Sequence, residues 1–284
     1  MTRLSIVTVS HHSHRHLPAY VESFLASGSD RSLDGIEFII VENSGAADTD
    51  RLLAPLRAAG IRVVFIKSPN DGFGAGCNRG AAQARGKTLI FANPDIVFLD
   101  PLDPIATAQD GTMWGSVAQC DSAGGSYAFD MLPEYKTVAG ELRRRYRHVL
   151  PTTPGDAKRV YPVGSFFVVA ADLFRQVGGF DERFFMYHEE AELSRRLHAV
   201  APPPSYFAGI RVKHEAFGSA VTKDAVLRHE TDGLLTYAHI TGRRRIILTR
   251  FLTQLILLPL SQGARRRMLF LLQALAKKHE KQTR

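Results

Sequence analysis

Along the first hundred residues, short unbroken apolar runs alternate with stretches in which apolar residues recur every three or four positions. Leu4 to Val9, Ile36 to Val41, Arg62 to Ile66 and Thr88 to Ala92 have the length and composition of buried strands. Between them, Leu17 to Leu25, Asp50 to Ala59 and Gly76 to Arg85 have helical spacing. This alternation predicts parallel pairing through right-handed crossovers, hence an open α/β sheet. Such sheets place ligands beyond the carboxyl ends of their strands, which directs attention to the loops after Val9, Val41, Ile66 and Ala92. From about 105 to 160 the pattern is mixed, marked by a Gly-Gly turn at 124–125 and the cluster Arg143-Arg144-Arg145. Order returns with the apolar run Val163 to Val169, a helical Ala171 to Val177 and an acidic helix beginning near Glu189.

A chain of 284 residues with 45% hydrophobic content is sized for one large or two modest packed domains. Its two cysteines, Cys77 and Cys120, form no Cys-x-x-Cys pair, so neither a disulfide framework nor a cysteine-built zinc site is expected. Met1 leads directly into the first strand without a basic, then apolar, leader, and the expected location is cytoplasmic. The net charge of +8 is unevenly placed. From Arg243 onward eleven Lys or Arg stand against one acid, Glu280, so this tail carries +10 and the body −2. A body of that charge argues against a nucleic-acid partner.

Asn70-Asp71-Gly72-Phe73-Gly74-Ala75-Gly76-Cys77-Asn78-Arg79-Gly80 lies between a strand and a helix. Its glycines suit backbone amides facing a phosphate at a helix N-terminus, and they equally suit a turn that packs a helix closely. In Asn93-Pro94-Asp95 the proline keeps Asn93 extended, so Asp95 projects from a strand end. There its carboxylate suits Mg²⁺ or Mn²⁺ shared with water and phosphate oxygens, or else caps the turn into Ile96. Glu189, Glu190 and Glu192 open the later helix. Crowded acids raise one another's pKa, as a general base near neutrality requires, while the helix macrodipole favours acids there in any case. His11, His12, His14 and His16 match no zinc spacing and read as a solvated loop.

These residues resemble family-2 glycosyltransferases, the inverting enzymes of the GT-A fold, and within them the rhamnosyltransferase-like branch. An Asn-x-Gly-Phe-x-x-Gly-x-Asn-x-Gly pattern is met by Asn70, Gly72, Phe73, Gly76, Asn78 and Gly80, and Asn93-Pro94-Asp95 follows. Gly-Gly-Phe-Asp-Glu-x-Phe-Phe-x-Tyr runs from Gly178 to Tyr187, and His214 with Gly218 and Ser219 comes last, so the likeness covers about residues 3 to 220. The resemblance implies a GT-A-like open mixed sheet flanked by helices. Its Rossmann-like nucleotide-sugar-binding half would be 1–105, its acceptor and catalytic half 106–242, and a helical tail 243–284. Asp95 would hold Mg²⁺ or Mn²⁺, with His214 a second ligand or a diphosphate contact. Ser10 and Glu42 would hold the nucleoside, with Asn70, Gly72, Asn78, Arg79 and Asn93 around the donor. Glu190 takes the place of the general base, Glu189 is its alternate and Glu192 is structural. The family usually has Asp where Glu42 stands, and Glu-Asp-x-Asp-Leu where this chain has Glu189-Glu190-Ala191-Glu192-Leu193. Each Glu for Asp lengthens the arm by a methylene and shifts its reach by about 1 Å.

The activity so implied is metal-dependent transfer of a sugar from a dTDP or UDP donor, rhamnose in particular, to a glycan or lipid-linked glycan in cell-surface polysaccharide assembly. The rivals are an inactive nucleotide-sugar-binding scaffold and a sugar nucleotidyltransferase, for which a Gly-rich, basic loop after the first strand is missing. Trp114, Phe166, Phe167, Phe184 and Phe185 suit sugar stacking, though such residues are more often core. In the tail, Arg250 and Pro259 interrupt the apolar stretch, which is too short to span a membrane. Cations beside apolar stripes suit an anionic membrane surface, and equally a pair of helices packed on the domain or on a second copy in a homodimer.

Overall fold

The computed structural model describes residues 3–28, 33, 35–46, 48–108, 110–121, 124–142, 154–215, 222–259 and 261–282. Arg143 to Arg145, Gly218 and Ser219 lie outside the described residues. The first half of the chain runs β1 (Leu4–Ser10), α1 (Leu17–Ser27), β2 (Ile36–Glu42), α2 (Ala54–Ala58), β3 (Arg62–Lys67), α3 (Phe73–Ala81), β4 (Thr88–Ala92) and β5 (Ile96–Phe98). There follow α4 (Asp103–Thr107), β6 (Trp114–Cys120), β7 (Ser126–Tyr127), β8 (Phe129–Met131), α5 (Val138–Leu142), α6 (Pro154–Ala157), β9 (Val160–Pro162), β10 (Phe166–Ala170), α7 (Ala171–Gln176), α8 (Glu189–Val200) and β11 (Ser205–His214). Three helices close the chain: α9 (Lys223–Ile240), α10 (Arg245–Leu257) and α11 (Gln262–Gln282).

One mixed, open sheet has the order β3-β2-β1-β4-β10-β6-β11-β5, with β7 added to β6, and β8 pairs with β9 separately. The predicted first four strands are present and mutually parallel. Strand β10 runs antiparallel between β4 and β6, and β5 is antiparallel to β11 at the end of the order. The chain steps outward from β1 to β3, then returns through α3 to β4 on the other side of β1. That reversal leaves a crevice at the carboxyl ends of β1 and β4.

Both faces of the sheet are covered, which is why its central strands read as unbroken apolar runs. Leu4, Ile6, Phe38, Ile40, Ile90, Phe166 and Val168 face one core with α1 residues Leu17, Tyr20 and Phe24. Val7, Val9, Ile39, Val41, Phe91, Phe167 and Val169 face the other, with Cys77 of α3, Phe174 of α7 and Leu193 of α8. The period of two along each strand sorts them. Trp114, Phe166, Phe167 and Phe184 are buried core residues. Phe185 is exposed, its ring 5.0 Å from that of His229.

Helix α3 begins at Phe73, three residues before the predicted start, and carries Gly74, Gly76 and Gly80. Glycine weakens a helix by about 1 kcal/mol each, so close packing must offset the cost. A Cβ on Gly76 would lie 2.8 Å from Val9, and one on Gly80 2.4 Å from Val7, so α3 sits on β1 at a distance that only glycine permits.

Replacing Gly80 by Ala is expected to lower urea-unfolding stability by roughly 1–3 kcal/mol, and Val7→Ala in the same chain should recover part of the loss, since the obstacle is a side chain. Gly72→Ala meets the backbone of Phe185 at 2.6 Å with φ at 114°, so trimming a side chain should not rescue it. A Gly80→Ala protein as stable as its parent would refute the packing account.

Candidate active site

Asp95 follows β4 and His214 ends β11, which are 119 positions apart in sequence and adjacent in space. The antiparallel register of β5 and β11 sets His214 opposite Ile96, and the Glu215 amide donates to the Asp95 carbonyl at 3.2 Å. His214 Nε2 stands 3.4 Å from Asp95 Oδ1, with the two side chains only 14% and 10% exposed. This contact is too poorly aligned for a hydrogen bond, and Asp95 Oδ1 is buried without a hydrogen-bond partner. On its other side the His214 ring meets Tyr127 through Nδ1 at 3.0 Å. Burial pushes the Asp95 pKa up, but the imidazole of His214, with His16 behind it, outweighs this and holds the carboxyl below its ordinary value.

These two residues fit a hard divalent cation. Two ligands of one Mg²⁺ or Mn²⁺ at right angles lie roughly 3 Å apart, close to the separation found, and an unpartnered buried carboxylate oxygen is a donor atom in need of a cation. Among the described residues no group of three or more His, Cys, Asp or Glu gathers to hold a metal. Water and substrate oxygens would therefore complete the coordination.

Glu190 borders the same region through the turn before β10. The Asn93 amide donates to the Ser165 carbonyl at 3.0 Å, while Glu190 lies over Gly164, where a Cβ would come within 3.3 Å of the carboxyl group. Burial pushes Glu190 up to about 7, Asp130 adds to the rise, and Lys136 and the Gly164 amide oppose it. Glu189 points elsewhere. It is 4% exposed, its Cγ lies against Gly74, and burial with the neighbouring charge of Glu190 holds its pKa well above the ordinary carboxylate value. Glu192 is ion-paired with Arg196 at 2.6 Å, the structural part expected of it. The helix start that aims these acids is strained: Tyr187 and His188 are left-handed, at φ 70° and 69°. A Cβ on Gly233 of α9 would lie 2.3 Å from the Tyr187 carbonyl, so α9 clamps the turn in place.

The glycine-rich segment packs closely against the loop that leads into α8. Its first helical amide, Phe73, donates to the Phe185 carbonyl at 2.8 Å, and Gly72 and Gly74 abut Phe185 and Phe180. Asn78 departs from the expected nucleoside contact. Its amide accepts from Phe180 N and donates to Phe180 O and Glu182, each at 2.9 Å, so its polar atoms brace the 178–182 turn. Arg79 likewise holds the loop after β3, through Ser68 at 2.8 Å and an ion pair with Asp71.

Across the carboxyl ends of β1 to β3 runs a polar chain: His11 to Asn43 at 2.9 Å, and Asn43 to Asn70 at 3.1 Å. Glu42, 2% exposed, accepts from Ser10 at 2.7 Å, Thr49 at 3.0 Å, and both the amide and the hydroxyl of Ser44. Burial raises its pKa and these bonds more than reverse the rise, leaving it below the ordinary value. Four such bonds fill a carboxylate's acceptor sites, so Glu42 shapes the loop after β2.

The family model for glycosyl transferase family 2 matches residues 5–169. The chain belongs to glycosyl transferase family 2. An N-acetylglucosaminyl-diphospho-decaprenol L-rhamnosyltransferase from Mycobacterium tuberculosis is 27% identical over 243 residues, 74% of this chain and 75% of that protein. Two solved structures share the GT-A fold at lower identity. S. aureus TarS 1–349 in complex with UDP is 15% identical with a TM-score of 0.53 over 82% of this chain, and the chain spans 66% of that one. The mannosyltransferase PcManGT from Pyrobaculum calidifontis, in complex with GDP-Man and Mn2+, is 12% identical with a TM-score of 0.57, over 96% of this chain and 75% of that one.

In this family-2 glycosyltransferase the places of Tyr127, the Gly164–Ser165 turn, Asp130 and Lys136 carry no signal in the sequence. All four lie in or beside the weakly patterned middle, on short strands and turns whose importance is purely positional. The buried acids make a further expectation. A carboxyl whose folded pKa is raised keeps its proton while the unfolded chain loses it, so its contribution falls as pH climbs from about 4.5 through about 7. Glu190→Gln should therefore raise the melting temperature at pH 8 and change it little at pH 4. Equal shifts at both pH values would contradict the assigned protonation.

Proposed function

We propose that this glycosyltransferase moves a sugar, rhamnose from dTDP-rhamnose in the first instance, to a hydroxyl of a glycan or lipid-linked glycan in cell-surface polysaccharide synthesis, with inversion. The observation that carries the reading is the pairing of Asp95 with His214 at the crevice, one buried carboxylate oxygen unpartnered, beside a Glu190 poised near neutrality. The Mycobacterium tuberculosis relative, by its name an L-rhamnosyltransferase acting on a diphospho-decaprenol, supports the sugar and the acceptor class. The Mn2+ in the PcManGT complex supports the metal, and the UDP in TarS keeps uridine as the alternative donor base.

Each residue has a role in this reading. Asp95 and His214 would hold Mg²⁺ or Mn²⁺, which when bound supplies Lewis-acid neutralisation of the departing diphosphate. Tyr127, accepting from His214 Nδ1, would leave Nε2 free to ligate. Ser10, Glu42, Asn43 and Asn70 form the floor at the carboxyl ends of β1 to β3 where the nucleoside would lie, and Asn93 would lie beside the diphosphate. Glu190 takes the proton from the acceptor hydroxyl as it attacks the sugar carbon opposite the leaving group.

Sugar transfer from a donor panel tests this. Glu190→Gln should cut kcat by about 10²–10⁴ with little change in donor binding, and the parent's kcat/KM should rise with pH through an apparent pKa near 7, because the base works deprotonated. Tyr127→Phe should weaken Mn²⁺ binding, read by thermal shift, roughly tenfold. A parent protein that transfers nothing from any donor, or a Glu190→Gln variant with full turnover, would end the proposal.

A further inference from the structure

Helix α10 is amphipathic in the reverse of the usual sense. The positions turned inward, spaced i, i+4, i+7, i+8, are Ile246, Arg250, Thr253 and Gln254. Thr253 and Gln254 are 1% and 2% exposed, and Arg250 is ion-paired with Glu230 at 2.7 Å. At the same spacing on the outer face stand Leu248, Leu252, Leu255 and Ile256, exposed by 57%, 39%, 48% and 49%. A helix lying in water would present these residues the other way round. Helix α11 carries a shorter version, with Leu269 and Leu272 half exposed and Arg265 on the same helical face.

Charge identifies what covers this face. Between Arg243 and His279 there is no Asp or Glu. Arg244 is exposed on the side of α10 that bears the leucines, one turn before Leu248, and Arg265 donates to the Leu258 carbonyl, not to an acid. A second copy of the chain docking symmetrically would set these arginine-rimmed surfaces against each other. A bilayer with anionic headgroups complements both the cations and the aliphatic stripe. Among the described residues no helix is long and apolar enough to cross a membrane, so the contact is one of a helix lying in the interface.

We infer that the outer face of α10, extended by α11, docks this protein on an anionic lipid surface, with Leu248, Leu252, Leu255 and Ile256 entering the headgroup boundary and Arg244 and Arg265 meeting lipid phosphates. The inference goes beyond the sugar-transfer reading and stands without it.

The test is cosedimentation of the full chain with vesicles of phosphatidylcholine alone and of phosphatidylcholine with an equal share of phosphatidylglycerol. The parent should pellet with the anionic vesicles and lose much of that binding in high salt. Leu248→Ser, Leu252→Ser, Leu255→Ser and Ile256→Ser together should reduce binding by roughly tenfold or more while leaving the melting temperature no lower. Arg244→Glu with Arg265→Glu should abolish the preference for anionic vesicles, and keeps the idea testable if the four serines disturb folding. Failure of the parent to pellet overturns the proposal. So does a parent dimer, seen by equilibrium sedimentation, that the four serines dissolve, because a second copy would then be the occupant. Sugar transfer to a water-soluble acceptor should be unchanged in the four-serine variant, so loss of vesicle binding is told apart from failure of the active-site reading.

Discussion

The close seating of α3 governs the arrangement of the rest. With glycine at three of its positions, one short helix touches β1 through Val7 and Val9 and the 178–185 loop through Phe180 and Phe185. Neither contact survives the addition of a methyl without movement. Because the same helix also carries the chain back from β3 to β4, it creates the crevice and fixes the loop that leads into α8. The position of Glu190 thus depends on glycines more than a hundred residues earlier. Asn78 secures the arrangement by satisfying both backbone groups of Phe180.

Around the crevice two carboxyl groups are pushed in opposite directions. Asp95 sits by an imidazole that holds its carboxyl below the ordinary pKa. Glu190 sits over a glycine turn, with burial and Asp130 raising it to where protons exchange near neutral pH. Divergent environments for similar groups are how one site divides electrostatic work from proton transfer. The left-handed pair Tyr187 and His188 keeps the acids facing where they do, and α9 supplies the close contact that holds so unfavourable a turn.

Much of this was legible in the chain. The first four strands, the crevice, Asp95 and the acidic helix follow from periodicity and from one proline, because they are local. The segment from 70 to 80 was legible only as a pair of alternatives. Glycines serve phosphates and tight packing alike, and the packing partner, Phe180 to Phe185, is distant in sequence. Glu42 and Asn78 were expected near the donor because the family resemblance implied it. Here their hydrogen bonds are taken by Ser10, Ser44, Thr49 and the Phe180 backbone. Strands β7 to β9 escaped because they are two or three residues long and set by tertiary pairing, and β6 because Gly115, Ser116 and Gln119 break its apolar run. The inverted face of α10 escaped for a related reason: composition shows that a helix is amphipathic, and only its neighbours show which side it turns inward.

The pairing of β5 with β11 has a consequence for how such a protein can change. Asp95 and His214 are brought together by a three-residue ladder, so the alignment of that ladder decides whether they meet. Changes of length in the turns between the core strands can be absorbed as long as β5 and β11 keep this register. A slip of one residue there would turn the imidazole to the opposite side of the sheet. The architecture therefore separates turns that can drift from a junction that tolerates no error.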